Sequence, residues 1–343
     1  MQRHATPIEI PRAPDPRLSV APMMDYTTPD FRQLCRLLSR HVLLYTEMIT
    51  ARAIHHGERH RLLWFDAAEH PVAVQLGGSE PALLAEAARI SEDFGYDEIN
   101  LNLGCPSDRV QSGQFGACLM AEPDRVARCI DAMARATNLP VTVKTRIGID
   151  DREDYPFLRD FVARLRDAGC RHFIIHARKA VLSGLSPREN REIPPLRPER
   201  AQALKADFPE LTIVLNGEIR SLEEARDHLT RVDGVMIGRE AWRNPWMLVH
   251  ADREILGDDH PLPDRHEIVE RFLPWVERRH AQGVHPKHVL RHVLNLFQGV
   301  PGARAFRRHI SENAHLPDAT PAVLQEALAR VPRPGDEPSR AAV

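Results

Sequence analysis

The sequence predicts an α/β protein, a (β/α)8 TIM barrel followed by a small C-terminal all-helical domain. Eight short apolar runs recur at roughly regular spacing, and amphipathic helical patterns lie between most of them. This alternation indicates βαβ units and a parallel sheet, and eight units in roughly 240 residues favour a closed barrel. An open doubly wound sheet would carry a GxGxxG turn after its first strand, whereas the first run here ends in Ala-Pro-Met-Met.

The predicted strands are short runs of apolar and β-branched residues, and they cover residues 18–21, 42–45, 72–76, 98–102, 141–145, 172–176, 212–216 and 234–237. Apolar residues at i, i+3 and i+4 predict helices over 81–94, 124–136, 157–168 and 222–229. The fourth strand runs into Gly104-Cys105-Pro106, which continues neither as a strand nor smoothly into a helix. Cys105 therefore lies on a loop at the C-terminal mouth of the barrel.

The chain changes character near Asp258, where a polar, proline-bearing linker begins. Three helices are predicted beyond it, over 266–282, 285–298 and 303–314, with Gly283 and Gly299 at two of their ends. The predicted organisation is a flexible N-terminal arm (1–16), a barrel domain (17–257), a helical domain (264–330) and a frayed tail (331–343).

Composition excludes several classes of protein. With 43% apolar and 27% charged residues over 343 positions, the chain is an ordinary globular sequence with ample core. No run of about 18 uncharged apolar residues predicts a membrane span, and no secretory signal is visible. Five cysteines, an odd number, argue against a disulfide framework and for a reducing cytoplasm. Without CxxC or HExxH spacing we expect no metal site, and a monomer is the default expectation.

Net charge is −2, but its distribution is uneven. Nine lysines and arginines and six histidines lie between residues 264 and 310, against four acidic residues. A local basic surface on a nearly neutral protein indicates a polyanionic partner. The alternative is an ordinary solvated helical face.

Polar side chains follow almost every predicted strand, and barrel chemistry lies at those strand ends. In chain order the ends carry Pro22, Met23, Glu47, Gln75, Asn102, Cys105, Lys144, Arg146, His176, Arg178, Asn216, Gly217, Gly238 and Arg239. The Asn216-Gly217 and Gly238-Arg239 turns follow strands seven and eight, where barrels usually bind phosphate through backbone N–H groups. Their alternative role is that of two surface turns.

A cation and two polar groups complete the predicted ligand site. Lys144 closes an apolar strand and could stabilise negative charge on a ring. Gln75 offers a donor and an acceptor to a pyrimidine-like edge, and His176 could contact the ring or a phosphate. Together they favour a phosphorylated, redox-active planar ring, FMN rather than a nicotinamide cofactor.

Cys105 is interpreted as an acid beside this ring. Cysteine thiols ordinarily have a pKa of about 8.5, so most are protonated at neutral pH and can deliver a proton. A nucleophilic role would require an activating base nearby. Cys35, Cys129 and Cys170 lie in helical or strand patterns and are predicted to be core residues.

These residues resemble the tRNA dihydrouridine synthases, and specifically their bacterial A-type branch. The matching segments include LYTEM at 44–48, VQLGG at 74–78, DEINLNLGCPSDRVQ at 97–111 and VTVKTRIGID at 141–150. Further matches are Ala-Pro-Met at 21–23, residues 174–195 with SGLSP, and residues 235–240. The likeness covers roughly residues 17 to 315, and the SGLSP segment resembles the A-type branch.

The resemblance implies NADPH-dependent reduction of a uridine C5=C6 bond in the D-loop of tRNA, at positions 20 and 20a. FMN N5 would give hydride to C6, and Cys105 would give the proton to C5. The implied FMN contacts are Pro22, Met23, Met24, Gln75, Lys144, His176, Asn216, Gly217, Glu218, Gly238 and Arg239. Asn102 would touch the flipped uridine, and the implied tRNA contacts are Arg188, Arg191, Arg304 and Arg307. Glu218 departs from the branch's small residue, so we expect its side chain to turn from the phosphate.

Two other functions remain open at this point. A flavin barrel similar to dihydroorotate dehydrogenase would act on a free pyrimidine and would not need Arg304 and Arg307. An RNA-folding helper would bind tRNA while its redox site stayed secondary.

Overall fold

The computed structural model describes residues 13–333, and within them eight parallel strands close into a barrel. The strands are β1 (Leu18–Val20), β2 (Leu43–Thr50), β3 (Val72–Gly77), β4 (Glu98–Leu103), β5 (Val141–Arg146), β6 (His172–His176), β7 (Thr212–Asn216) and β8 (Gly234–Ile237). Strand β8 pairs in parallel with β1, Met236 opposite Ser19, which closes the ring. The predicted (β/α)8 barrel is confirmed. Residues 1–12 of the predicted arm and 334–343 of the predicted tail lie outside the described residues.

Helices surround the barrel and continue beyond it. They are α1 (Pro29–Leu38), α2 (Ala51–His56), α3 (Arg59–Leu63), α4 (Pro81–Asp93), α5 (Asp108–Ser112), α6 (Pro123–Ala136), α7 (Tyr155–Asp167), α8 (Glu199–Asp207), α9 (Leu222–Leu229), α10 (Arg239–Arg243), α11 (Arg265–Ala281), α12 (Pro286–Leu290), α13 (Ala303–Asn313) and α14 (Ala322–Leu328). The four barrel helices predicted from periodicity are confirmed as α4, α6, α7 and α9. In the part of the chain that is described, no helix combines the length and apolarity needed to cross a bilayer.

Both faces of the strands are buried. The outer face packs on the helices, while a smaller apolar cluster fills the lower interior, formed by Ala21, Leu43, Tyr45, Ala73, Ile174, Val214 and Met236. Burial on both faces is why strands such as β3, β6 and β8 are mostly apolar, whereas β4 alternates polar and apolar residues.

Strand β2 is longer than predicted. It runs through Thr50 rather than ending at Tyr45, and its register with β3 shifts between Tyr45 and Met48. Such an irregularity re-aims the side chains that follow it. It carries Glu47 to the mouth of the barrel.

The helix predicted over 285–298 is wrong in its second half. Helix α12 ends at Leu290, and residues 291–299 form consecutive turns. Their backbone hydrogen bonds span three residues, as in Leu296 N to Val293 O. Val293 and Leu296 are still fully buried, so apolar spacing alone did not distinguish these tight turns from an α-helix.

A buried carboxylate joins the barrel to the C-terminal helices. Asp30 of α1 accepts from the indole Nε1 of Trp275 at 2.9 Å and from Nε of Arg279 at 2.8 Å, both on α11. Beside them the rings of Trp64 and Trp275 stack with centroids 6.1 Å apart at an interplanar angle of 17°. This contact sets where α11 lies against the barrel.

We expect Asp30→Ala to lower the free energy of unfolding by about 3 kcal/mol, because it leaves a partly buried guanidinium and a buried indole N–H unpaired. Equilibrium urea unfolding measures this change. Asp93→Ala, which removes an exposed ion pair with Arg89, is the control and should cost less than about 0.5 kcal/mol. Equal effects in the two variants would contradict a special role for Asp30.

Candidate active site

A cavity of about 1310 Å³ opens at the carboxyl ends of the strands. It exceeds the roughly 300–1,000 Å³ typical of small-molecule pockets, so it has room for a cofactor and a substrate group together. Among the predicted site residues, its walls hold Pro22, Met23, Met24, Gln75, Asn102, Cys105, Lys144, His176, Arg191, Asn216, Gly217, Glu218, Gly238 and Arg239. Arg188, Arg304 and Arg307 are not part of the described lining.

The turn that carries Cys105 is held by the side chain of Asn102. Asn102 Oδ1 accepts from the backbone N of Gly104 at 3.2 Å and of Cys105 at 3.0 Å. Ala117 N donates to Cys105 O at 2.9 Å, which closes the following loop. The Cys105 thiol is partly exposed and lies 3.4 Å from Ser107 Oγ. The thiol therefore faces the cavity from an ordered turn.

Arg146 braces two loops of the mouth. Its Nε donates to Gly104 O at 3.0 Å, and its Nη1 donates to Lys179 O at 2.9 Å and Asn190 O at 2.8 Å. Burial lowers the pKa of Arg146 to about 10, which leaves it charged at neutral pH. The sequence placed Arg146 at a strand end without a role. In the sequence, the indication that Arg146 belongs to the site is that it follows Lys144 by two positions and so lies on the same, inner face of β5.

Lys144 supplies a cation to the cavity wall. Burial, with a smaller effect of Arg146, lowers the pKa of Lys144 to about 7. Its ammonium makes no hydrogen bond or ion pair with another residue in the described range 13–333. Burial and the neighbouring cations also hold the pKa of His176 well below its usual range, so that imidazole is neutral. The wall is thus suited to a partner that carries or develops negative charge.

The turn after β7 is packed too closely to accommodate a side chain at Gly217. Gly217 has φ +135°, and a Cβ there would lie 2.9 Å from Leu196 Cδ1. The neighbouring Asn216 side chain is fixed by its donation to Met236 O at 2.9 Å. An exposed backbone turn without a Cβ is what close approach of an anion requires.

Glu218 follows this turn with a φ of +51°, in the left-handed region. Its carboxylate accepts from Arg178 Nη2 at 2.7 Å and lies 3.5 Å from Arg220 Nη2. Arg178 also donates to Pro194 O. The negative charge is therefore compensated by two arginines, and the strained backbone is held by the Arg178 contact.

Arg239 already has a partner at the mouth. Its Nη1 lies 2.7 Å from Glu192 Oε1, and the cation lowers the pKa of that carboxyl. Gly238, directly before it, has φ −95° and ψ −118°. Contact between Arg239 and a phosphate would exchange one anionic partner for another.

The loop after β1 is strained at Asp25, whose φ is +65°. Glu47 Oε1 accepts from Asp25 N at 2.6 Å and so stabilises this conformation. Burial raises the pKa of Glu47 above its usual value. The loop presents Met24, which is 54% exposed, at the mouth. Glu47 was noted at a strand end, but its contact across the mouth depends on the register shift in β2.

The five cysteines are free thiols. Cys35, Cys129 and Cys170 are buried, as predicted, and burial raises the pKa of each. Within residues 13–333, no three histidine, cysteine or acidic side chains are grouped to hold a metal ion.

The basic region at 264–310 is only partly a surface. His266 and His292 are buried, and burial lowers the pKa of His292 to about 3. Arg279 pairs with Asp30. Arg304 and Arg307, by contrast, are exposed on one face of α13, one helical turn apart.

Comparison with known proteins identifies relatives over nearly the whole chain. The family described as "Dihydrouridine synthase (Dus)" matches residues 19–331. A tRNA-dihydrouridine(20/20a) synthase of Vibrio cholerae is 56% identical over 317 residues, 92% of this chain and 97% of the relative. Proteins of the same name from Synechocystis (56%, covering 93% and 95%) and Escherichia coli K12 (56%, covering 91% and 90%) are equally similar.

A solved structure of a 2-naphthoyl-CoA reductase complex superimposes with a TM-score of 0.51 at 9% identity. The match covers 69% of this chain and 50% of that one. At this identity it supports the barrel fold alone.

Lys144→Met should stabilise the ligand-free protein at pH 7 by at least ~1 kcal/mol, because it removes a cation whose charged form burial disfavours. Since the folded pKa of Lys144 lies near 7 and the unfolded value near 10.5, folding stability with lysine present rises with pH across that window. The advantage of the methionine variant should therefore be constant below pH 7 and shrink as the pH rises towards 10.5.

Urea unfolding at several pH values between 6 and 9.5 measures this difference. Lys287→Met, at an exposed position of α12, is the control for loss of a lysine. If the difference in unfolding free energy between Lys144→Met and the unaltered protein did not decrease with rising pH, the charged form of Lys144 would not be destabilised by its surroundings.

Proposed function

The chain belongs to the dihydrouridine synthase family, and we propose that it reduces uridine to 5,6-dihydrouridine in the D-loop of tRNA, at positions 20 and 20a, with FMN as its flavin and NADPH as the reductant. The observation that carries the proposal is the placement of Cys105 and Asn102 in one cavity with Lys144 and the Gly217 turn. The names of the relatives supply the substrate class.

The residues present fit FMN. The cavity wall holds an unpartnered ammonium at Lys144 and a backbone turn at Gly217 that carries no Cβ. The turns at 216–218 and 238–239 would hold the phosphate. The flavin ring would be held by Pro22, Met23, Met24, Gln75, Lys144 and His176. When bound, FMN supplies the hydride that reduces uridine at C6.

Cys105 would hold the proton that goes to uridine C5. Its position depends on Asn102 Oδ1, which accepts from the backbone of the turn, and on Arg146, which braces the same turn through Gly104 O. The amide N–H of Asn102 that remains free would touch the flipped uridine. A turn fixed in this way holds the thiol at one place in the cavity, and general acid catalysis requires the acid to lie within reach of the reacting atom.

The RNA would be held by arginines at the mouth and on helix α13. Arg191 lines the cavity, Arg188 is exposed on the same loop, and Arg304 and Arg307 are exposed on α13. A base in folded tRNA must leave its stack to reach a barrel mouth, and phosphate contacts position the RNA for this. In this proposal residues 17–257 form the catalytic domain and 264–330 the tRNA-binding domain of a monomer that acts in the cytoplasm without a metal ion.

Cys105→Ala should retain flavin and tRNA binding but lower product formation by at least ~100-fold, because the proton donor is lost. The test maps dihydrouridine position by position in tRNA from cells lacking the gene and complemented with either form. Cys118→Ala, which changes the other partly exposed thiol, is the control and should restore modification. Restoration of positions 16 or 17 instead of 20 and 20a by the unaltered protein would contradict the assigned position. Restoration of none would contradict the tRNA substrate.

Replacing Arg304 and Arg307 together by alanine should weaken tRNA binding by about tenfold or more and lower the slope of log Kd against log salt by about 2. Filter binding at several salt concentrations measures both. Arg128→Ala with Arg135→Ala removes two exposed arginines from α6 on the barrel exterior and is the charge-matched control. Equal affinities for the two double variants would remove α13 from the RNA-binding surface.

A further inference from the structure

A chain of buried hydrogen bonds descends from the Cys105 turn into the barrel interior. Asn102, whose Oδ1 accepts from Cys105 N, donates through Nδ2 to Gln75 Oε1 at 2.8 Å. Gln75 in turn donates through Nε2 to Asn100 Oδ1 at 2.8 Å. Two of these residues belong to the proposed site, but Asn100 lies below it and is not among the residues that line the cavity.

The hydrogen bonds continue to a buried carboxyl group. Asn100 Nδ2 donates to Thr142 Oγ1 at 2.8 Å, and Thr142 Oγ1 donates to Glu98 Oε1 at 2.7 Å. Tyr45 OH donates to the same oxygen at 2.6 Å. Asn100 and Thr142 are fully buried and Glu98 is 1% exposed. We name the path from Cys105 N through Asn102, Gln75, Asn100 and Thr142 to Glu98 the core hydrogen-bond chain.

Strand register explains why these side chains meet. Asn100 of β4 lies opposite Gln75 of β3 and Thr142 of β5. Side chains alternate across a strand, so residues 98, 100 and 102 of β4 all point into the barrel. Polar residues at these inner positions form a line parallel to the barrel axis, from the lower interior to the mouth.

The core hydrogen-bond chain has a single possible direction. Its upper end is a backbone N–H, which can only donate, and its lower end is a carboxylate oxygen that accepts from two hydroxyl groups. Thr142 Oγ1 donates to Glu98 at 2.7 Å, a shorter contact than its 3.5 Å distance to Ile99 O, and accepts from Asn100, and each amide above it takes the same orientation. A reversed amide at Asn102 would place its NH2 group against the N–H of Cys105.

The direction decides which groups face the ligand. Gln75 and Asn102 each use one amide N–H in the core hydrogen-bond chain and keep the second N–H free of it. Gln75 Oε1 also keeps a second lone pair. Those are the groups that would meet the flavin and the uridine. His172 Nδ1 lies 3.9 Å from Glu98 Oε2, beyond hydrogen-bond distance, so it does not compete.

We propose that Glu98 and Thr142 are positioning residues of the active site: through the core hydrogen-bond chain they orient the amides of Gln75 and Asn102 and, with them, the turn that carries Cys105. This inference rests on the proposed function, since it assigns those amides to the flavin and the uridine. Neither Glu98 nor Thr142 lines the cavity, so they act through other residues.

The experiment compares two hydroxyl deletions on the same carboxyl oxygen. Thr142→Val removes the hydroxyl that joins Asn100 to Glu98 in the core hydrogen-bond chain, with little change of side-chain shape. Tyr45→Phe removes a hydroxyl that lies outside the path to the site. Each variant is measured for its FMN dissociation constant after flavin removal, for kcat and KM on tRNA, and for thermal stability.

Thr142→Val should weaken FMN binding about tenfold and lower kcat about tenfold, because loss of a hydrogen bond that supports a site residue typically has effects of this size. The KM for tRNA should stay within about twofold. Tyr45→Phe should lose comparable stability but keep FMN affinity and kcat within about threefold, and Thr142→Ser should restore both. Equal losses of affinity and kcat in Thr142→Val and Tyr45→Phe, or no rescue by Thr142→Ser, would overturn the proposal.

Glu98→Gln is a second test that keeps the shape of the core, should Thr142→Val fail to fold. The side-chain carbonyl of glutamine can accept both hydroxyl hydrogens, so the direction of the core hydrogen-bond chain is retained. The FMN dissociation constant and kcat should therefore stay within about threefold of those of the unaltered protein. A larger loss would overturn the inference that Glu98 acts by fixing the direction of the core hydrogen-bond chain, because its charge would then control the site. If the unaltered protein bound no FMN or left tRNA unmodified, the proposed function itself would fail, independently of the variants.

Discussion

Closure of eight parallel strands into a ring is the constraint on which the rest of this structure depends. It directs all strand carboxyl ends to one mouth, and alternation along each strand places every second side chain inside. Residues far apart in sequence, such as Met23, Cys105 and Gly217, therefore share one cavity. The same geometry forces any polar residue at an inner position to find its partner on a neighbouring strand, which is how an interior hydrogen-bond path arises.

The mouth is organised by arginines that bond to backbone carbonyls and carboxylates. Arg146 links the loop after β4 to the loop after β6, and Arg178 links the loop after β6 to Glu218 after β7. These contacts hold left-handed, strained backbone at Glu218, as Glu47 does at Asp25. Strain of this kind persists only where surrounding contacts over-determine it, and both Asp25 and Glu218 line the cavity.

Sequence reasoning reached the barrel and the part of the cavity wall that directly follows the strands, because both follow from periodicity and from position at strand ends. It did not reach Arg146 as a brace or Thr142 as a partner of Glu98, since those roles depend on which residues of adjacent strands lie opposite each other. It also extended a helix through 291–298, where buried apolar residues occupy tight turns. The roles proposed for Arg304 and Arg307 rest on resemblance and exposure, because a surface arginine carries no local pattern that indicates its partner.

The stacked indoles of Trp64 and Trp275 form an intrinsic spectroscopic probe of the contact between the barrel and α11. One belongs to the barrel and the other to α11, and their nearly parallel rings are close enough for their electronic transitions to couple. Arg279 lies over both rings, 5.6 Å and 5.9 Å from their centroids, and also pairs with Asp30, so displacement of α11 would change the indole environment and the ion pair together. The near-ultraviolet circular dichroism of the unlabelled chain should therefore report whether the C-terminal helices stay against the barrel while a large RNA is bound.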